Sequence, residues 1–223
     1  MTRLPLLALA GLLSVGGAQA APVVERLRGT IEAVAPGAIT LKTIDGVSET
    51  IALGDDTKFV SVVKASLDDV KEGTFVGTAT KGENPRTAIE VLLFPEAMRG
   101  TGEGHYGWDT IPDATAGGTR VKSAMTNGTV KADAPAPRVK SAMTNGTVSG
   151  SATASGARTL TVTYKEGAQT VVVLPETPVV TFEPADKMVL KPGAKAFVTA
   201  ARDGTALSAR RVAVGKDGLT PPM

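Results

Sequence analysis

The sequence predicts an all-β protein of two small barrels in tandem. Three observations carry this: an apolar leader, a divergent match between the two halves, and alternation of apolar and polar residues within each half. The stretch "GTIEAVAPGAITLKTIDGVSETIALGDDTKFV", Gly29 to Val60, runs parallel to "GTVSGSATASGARTLTVTYKEGAQTVVVLPETPVV", Gly146 to Val180. Each begins with Gly-Thr and a β-branched residue and crosses a small-residue loop. Each then enters an alternating strand, Ile39 to Thr43 or Leu160 to Tyr164, and turns at Asp45-Gly46 or Glu166-Gly167. Period-two alternation bounded by such turns means antiparallel strands, and a self-match of this length means a repeated structural unit.

Taken in order, residues 1–20 form a signal peptide. Arg3 supplies the positive start, Leu4 to Val15 the apolar run, and Ala18-Gln19-Ala20 the small-x-small cleavage site. The run falls short of the roughly twenty residues that span a bilayer. The first barrel domain is expected over 25–98 and the second over 139–215, followed by a tail at 216–223. The match between them continues through "LDDVKEGTFVGTA" and "MVLKPGAKAFVTA", where Lys71 and Gly73 fall opposite Lys191 and Gly193. It ends in the strands "TAIEVLLF" and "SARRVAVG". About five or six short strands and one helical turn per copy, Ser66 to Val70 or Pro184 to Met188, suit an OB-like closed barrel. A domain of about seventy residues without disulfide or metal buries little of its surface, so the two barrels should pack against each other.

Between them, 99–138 has the Gly/Ala/Pro-rich composition of a linker. Inside it "RVKSAMTNGTV" occurs at Arg120 to Val130 and again, letter for letter, at Arg138 to Val148. The second copy leads directly into "SGSATASGARTLTV" and is expected to be the first strand of the second barrel. The first is followed by "KADAPAP", whose prolines interrupt a ladder, and is expected to be surplus chain or an added edge strand.

Composition excludes several classes. The chain has no Cys, so it can form neither a disulfide nor a thiolate metal site. Its formal net charge is +2, with signs alternating along the chain rather than clustered into a basic face, which argues against nucleic acid and against an anionic membrane surface. No later apolar run approaches a spanning length, so the chain is not expected to span a membrane once the leader is removed.

The candidate site is "RGTGEGHYGWDTIPD", which holds the only His, His105, the only Trp, Trp108, and Tyr106, one of two Tyr. The run is too rich in glycine to predict a regular strand. "GTGEG" looks like a phosphate loop, but no helix pattern follows to aim backbone amides at a phosphate. No nucleophile motif accompanies His105, and the Asp55-Asp56 and Asp68-Asp69 pairs sit at predicted turns, where such residues cap the backbone; catalysis is not expected. Glu103, His105 and Asp109, with Glu96 nearby, are the metal candidates, offering imidazole and carboxylate donors to a divalent ion. Met98, Met125 and Met143 are candidate thioether donors for copper. The alternative is a seam, with Tyr106 and Trp108 covering the junction between barrels, or a ligand-binding face built from Glu103, His105, Tyr106, Trp108 and Asp109.

The signal peptide, "GTI", the "LKPG"-like turn, "LLFPEAMRGTGEGHYGWD", "MTNGTV" and "VGKDGLTPPM" together resemble a family of exported bacterial proteins with two tandem OB-like domains of unknown function. Similar sequences are sometimes labelled metal ABC transporter permeases, a label the lack of spanning helices opposes. The resemblance implies a periplasmic or secreted location. The expectation is a non-enzymatic binding or envelope-maintenance protein of unknown ligand or envelope partner, with no cofactor. The alternative is a periplasmic metal-binding or metal-handling accessory, which would take a divalent metal.

Overall fold

A computed structural model describes residues 22–83, 85–135 and 156–221. The expected signal peptide, residues 1–20, and the second copy of the duplicated stretch, Arg138 to Val148, lie outside the described residues. Among the described residues the chain is all-β, its helical residues confined to short 3-10 turns. In order the strands are β1 (Val23–Ala35), β2 (Ala38–Thr43), β3 (Ser48–Lys64), β4 (Phe75–Lys81), β5 (Arg86–Leu93) and β6 (Gly104–Pro112). There follow β7 (Arg120–Pro135), β8 (Arg158–Tyr164), β9 (Gly167–Val173), β10 (Val179–Pro184), β11 (Lys195–Asp203) and β12 (Ala206–Gly215).

Strand pairing runs β12-β11-β1-β2-β3, and β12 also pairs β3 in parallel, which closes these five strands into a barrel. On the other side the order is β5-β4-β7-β8-β9, closed by a short parallel pairing of Arg86 and Thr87 with Val171 and Val172. The two rings are joined by β3 and β10, antiparallel, with Val62 opposite Phe182 at the middle of the pairing. The strands of the two halves are therefore not sorted into one barrel each. The hairpin β4–β5 follows β3 in sequence but completes the ring of β7, β8 and β9. The hairpin β11–β12 returns to complete the ring of β1, β2 and β3. The physical reason is β3 itself, a continuous strand that starts in one ring and ends against β10 and the other.

The rings match in detail. β1 and β7 carry the same bulge, between Ile31 and Ala33 and between Val130 and Ala132. Gly193 N–H donates to Ile31 O at 2.8 Å and Gly73 N–H to Val130 O at 2.8 Å, so each "KxG" turn docks on the other half's first strand. Gly29 and Gly128 occupy equivalent close approaches: a Cβ at Gly29 would stand 2.0 Å from Lys42 O, and one at Gly128 would stand 2.2 Å from Thr163 O. Only glycine fits where two backbones meet this closely.

Each ring buries its inward-facing apolar residues: Ile31, Leu41, Ile51, Val198 and Val212 in one, Val76, Val91, Leu160, Val162 and Val171 in the other. A third cluster, with Val62, Leu92, Phe182 and Phe197, lies between them. Each fully buried aliphatic side chain stabilises the fold by roughly 1.5–3 kcal/mol. The helical turns sit close to their predicted places, at Leu67–Asp69 and Lys187–Val189. The first is closed by a capping box in which the Ser66 hydroxyl and the Asp69 carboxylate each accept from the other's end of the turn.

Two expectations are corrected here. The segment 99–138 is not plain linker: it holds β6 and β7, and "GHYGWDTIP" is a strand despite its glycines, because β7 offers a full ladder and a bulge between Gly107 and Thr110 absorbs the irregularity. And it is the first copy of the duplicated stretch that lies in β7, between β4 on one side and β6 and β8 on the other. Pro135 does not prevent this, since it is the last residue of β7.

Candidate functional site

β6 pairs with β7 on both sides of its bulge, and at the bulge Trp108 and Asp109 meet side chains of β1 from the other ring. There Trp108 packs, half-buried, against both the inter-ring cluster and the cluster of Ala79, Ile89, Ile111 and Met125. The Arg26 guanidinium carbon lies 3.8 Å from the Trp108 ring centroid, and Tyr106 packs on the same indole at 5.8 Å, tilted. Arg26 Nη1 donates to Asp109 Oδ1 at 3.1 Å, while Arg28 Nη1 lies 2.9 Å from Asp109 Oδ2 and its guanidinium carbon lies 4.8 Å from the Phe197 ring centroid. Burial lowers the Arg28 pKa, and the carboxylates of Asp109 and Glu90 oppose that shift.

The residues singled out in the sequence part company. His105 Nδ1 bonds the Thr126 hydroxyl at 2.9 Å, and its ring stacks with Tyr164 at 6.4 Å. Burial, then the charge of Arg86, pulls its pKa below the ordinary 6.5, which favours the neutral imidazole. The Tyr106 hydroxyl donates to Gly102 O at 3.2 Å and accepts from Asn127 Nδ2 at 3.3 Å, and burial raises its pKa. Glu103 lies exposed in the turn before β6. The Asp109 carboxylate is occupied by two arginines rather than turned to His105. Among the described residues no three His, Cys, Asp or Glu side chains converge to hold a metal ion.

What the sequence did not single out lies beside Asp109. A cavity of about 480 Å³ opens between the rings, walled by Ile44, Ile89, Ile111, Pro178 and Pro221. Arg28 and Glu90 sit in its lining, the latter only 2% exposed, with Lys42 and Lys195 at the rim. Pro112 and Ala114, at the end of β6 and in the turn after it, complete the wall. That turn is built on Asp113, whose carboxylate accepts from Lys81 and from Thr115 N and Oγ1. Burial would raise the Asp113 pKa, but these bonds together hold it below the ordinary 3.8. The tail contributes as well: Leu219 packs into the inter-ring cluster and Pro221 walls the cavity. Arg26 and Arg28 left only a faint signal in the sequence, two cations at alternate positions of a strand that also carries Glu25 and Glu32, and Glu90 another, a lone carboxylate inside "TAIEVLLF".

A larger groove of about 1010 Å³ runs along Val34 to Gly37, Leu53 to Phe59 and Ala185 to Lys191. It is more open, and its charges, Asp55, Lys58, Asp186, Lys187 and Lys191, are of both signs. No helix among the described residues is long and apolar enough to cross a membrane. No protein-family model, no curated protein and no solved structure matches the chain.

Proposed function

We propose that the two rings are OB-like barrels related by an internal repeat, and that the chain is an exported, non-enzymatic binding protein of the periplasm or cell exterior. Its ligand is seated in the cavity between the rings. The observation that carries this reading is the lining of that cavity: apolar walls from both rings, with Lys42 and Lys195 at the rim in addition to Arg28, which Asp109 pairs, and the one lining carboxylate, Glu90. A volume of about 480 Å³ falls in the range of roughly 300–1,000 Å³ usual for small-molecule sites. Apolar walls with a surplus of positive charge suit an organic anion with an apolar body, such as a medium-chain carboxylate. The metal-handling alternative would draw on Glu103, His105 and Asp109, which lack a common focus.

The test is calorimetric titration of the leader-free protein with decanoate, decanol and Zn²⁺. Decanoate is expected to bind, and decanol to bind at least tenfold more weakly. Ala114→Trp, which places a bulky ring at the exposed wall, and the double change Lys42→Gln with Lys195→Gln are each expected to weaken decanoate by fivefold or more. Equal binding of decanoate by all variants would remove the cavity from consideration. Tight Zn²⁺ binding abolished by His105→Ala would favour the metal-handling alternative.

A further inference from the structure

We propose that either copy of "RVKSAMTNGTV" can fill the β7 position, so that the protein has two native registers. The side chains that fix the first half of β7 in place all come from the first copy. Ser123 Oγ donates to Asp109 O at 2.7 Å, Met125 and Val130 are buried in the clusters beneath, and Thr126 meets His105. Asn127 Nδ2 donates to Gly102 O at 3.0 Å, and Gly128 permits the close approach to Thr163. Arg138 to Val148 repeats this stretch without a single change, 18 positions later. Set in the same position residue for residue, the second copy would present the same side chains to the same faces of the sheet. Register in a sheet is fixed because a slip turns apolar side chains to the wrong face; an exact duplication removes that penalty.

The connections do not choose strongly between the copies. With Arg120 to Val130 in place, β6 joins β7 through 113–119 and β7 joins β8 through 136–157. With Arg138 to Val148 in place, the first connection becomes 113–137 and the second shrinks to 154–157, a hairpin length. One loop lengthens as the other shortens, and closure entropy grows only with the logarithm of length, so the two terms nearly cancel. What belongs to the first register alone is the tight turn, in which Asp113 N–H donates to Thr119 O at 2.9 Å, and the pairing of 132–135 with β8, beyond the duplicated letters.

The equivalence of Gly29 and Gly128 supplies the experiment. Gly29 has no duplicate, so Gly29→Val, which drives a side chain into Lys42 O, is expected to abolish the cooperative thermal transition. Gly128→Val makes the same clash, yet Gly146 remains, and this variant is expected to melt within about 3 °C of the wild type. Gly128→Val combined with Gly146→Val is expected to fail as Gly29→Val does. The proposal is overturned if Gly128→Val alone fails like the double variant, or if the double variant melts like the wild type. A second measurement uses the absence of cysteine. Thr129 lies directly opposite Thr163, within the separation that a disulfide bridges. Thr163→Cys is expected to form an intramolecular disulfide with Thr129→Cys and, in a separate variant, with Thr147→Cys. Failure of the second pair to close overturns the two-register reading.

Discussion

Trp108 is held by a cation on one face, an aromatic ring beside it and two apolar clusters beneath. Removing it should therefore cost more than a surface change. Trp108→Ala is expected to destabilise the protein by about 3 kcal/mol in urea unfolding, the lower end for a buried Trp because this one is half-covered. The wild-type emission should be blue-shifted, and a cost under about 1 kcal/mol would mean the ring is a surface group. His105 makes a different prediction. Its folded pKa lies below 6.5, so the unfolded chain binds the proton more readily. The stability it contributes is complete above the unfolded pKa and falls as pH drops from about 6.5 through the folded value. With one histidine in the chain, a melting temperature that rises between pH 5 and 7 should flatten in His105→Gln; an unchanged slope would dismiss the assignment. Scarcity made His105 and Trp108 visible in the sequence. Arg26 and Arg28, which meet Trp108 and Asp109 from β1, left only a faint signal, because each is an ordinary residue whose meaning comes from a strand distant in sequence.

At the level of elements, the strands outside 99–138 and their turns were legible because alternation and Gly-containing turns are local signals, whereas β6 was hidden by its glycines and its bulge, and β7 by the duplication that follows it. Which ring each hairpin completes was not legible. β4–β5 and β11–β12 carry equivalent patterns, so either ring can accept either hairpin, and only the path of β3 and β10 decides. The same holds for the duplicated stretch, where identical letters leave local reasoning nothing to separate the copies. Ring closure itself rests on matched threonines. Thr57 Oγ1 donates to Ala209 O at 2.9 Å while accepting from Gly54 N; Thr177 Oγ1 donates to Ala88 O at 3.3 Å while accepting from Leu174 N. Both residues are buried at 6% exposure, so replacing either hydroxyl by a methyl strands a carbonyl and an amide. Thr57→Val and Thr177→Val are each expected to cost about 1–2 kcal/mol in denaturant unfolding. Because they close different rings, the double variant should show the sum within about 0.5 kcal/mol. A cost confined to one of them would mean that the two closures are not equivalent.

At the level of the molecule, the exchange of hairpins makes the two halves depend on each other far more than a packed pair of separate barrels would. Cutting the chain in the connection between β7 and β8 leaves one fragment with β1 to β7 and another with β8 to β12. Neither contains a complete ring: the first lacks β11 and β12 on one side and β8 and β9 on the other, and exposes unpaired strand edges at both. A specific protease site inserted after Gly150 should therefore give, after cleavage, two fragments that elute together on gel filtration and separate only in denaturant. Their joint melting temperature should fall below that of the uncut protein and rise with concentration, because closure has become a bimolecular step. Each fragment made alone should show no cooperative transition, and mixing the two should restore it. Two fragments that elute separately, each with its own sharp transition, would mean that each half completes a barrel by itself and that the exchange of hairpins is not how the protein folds.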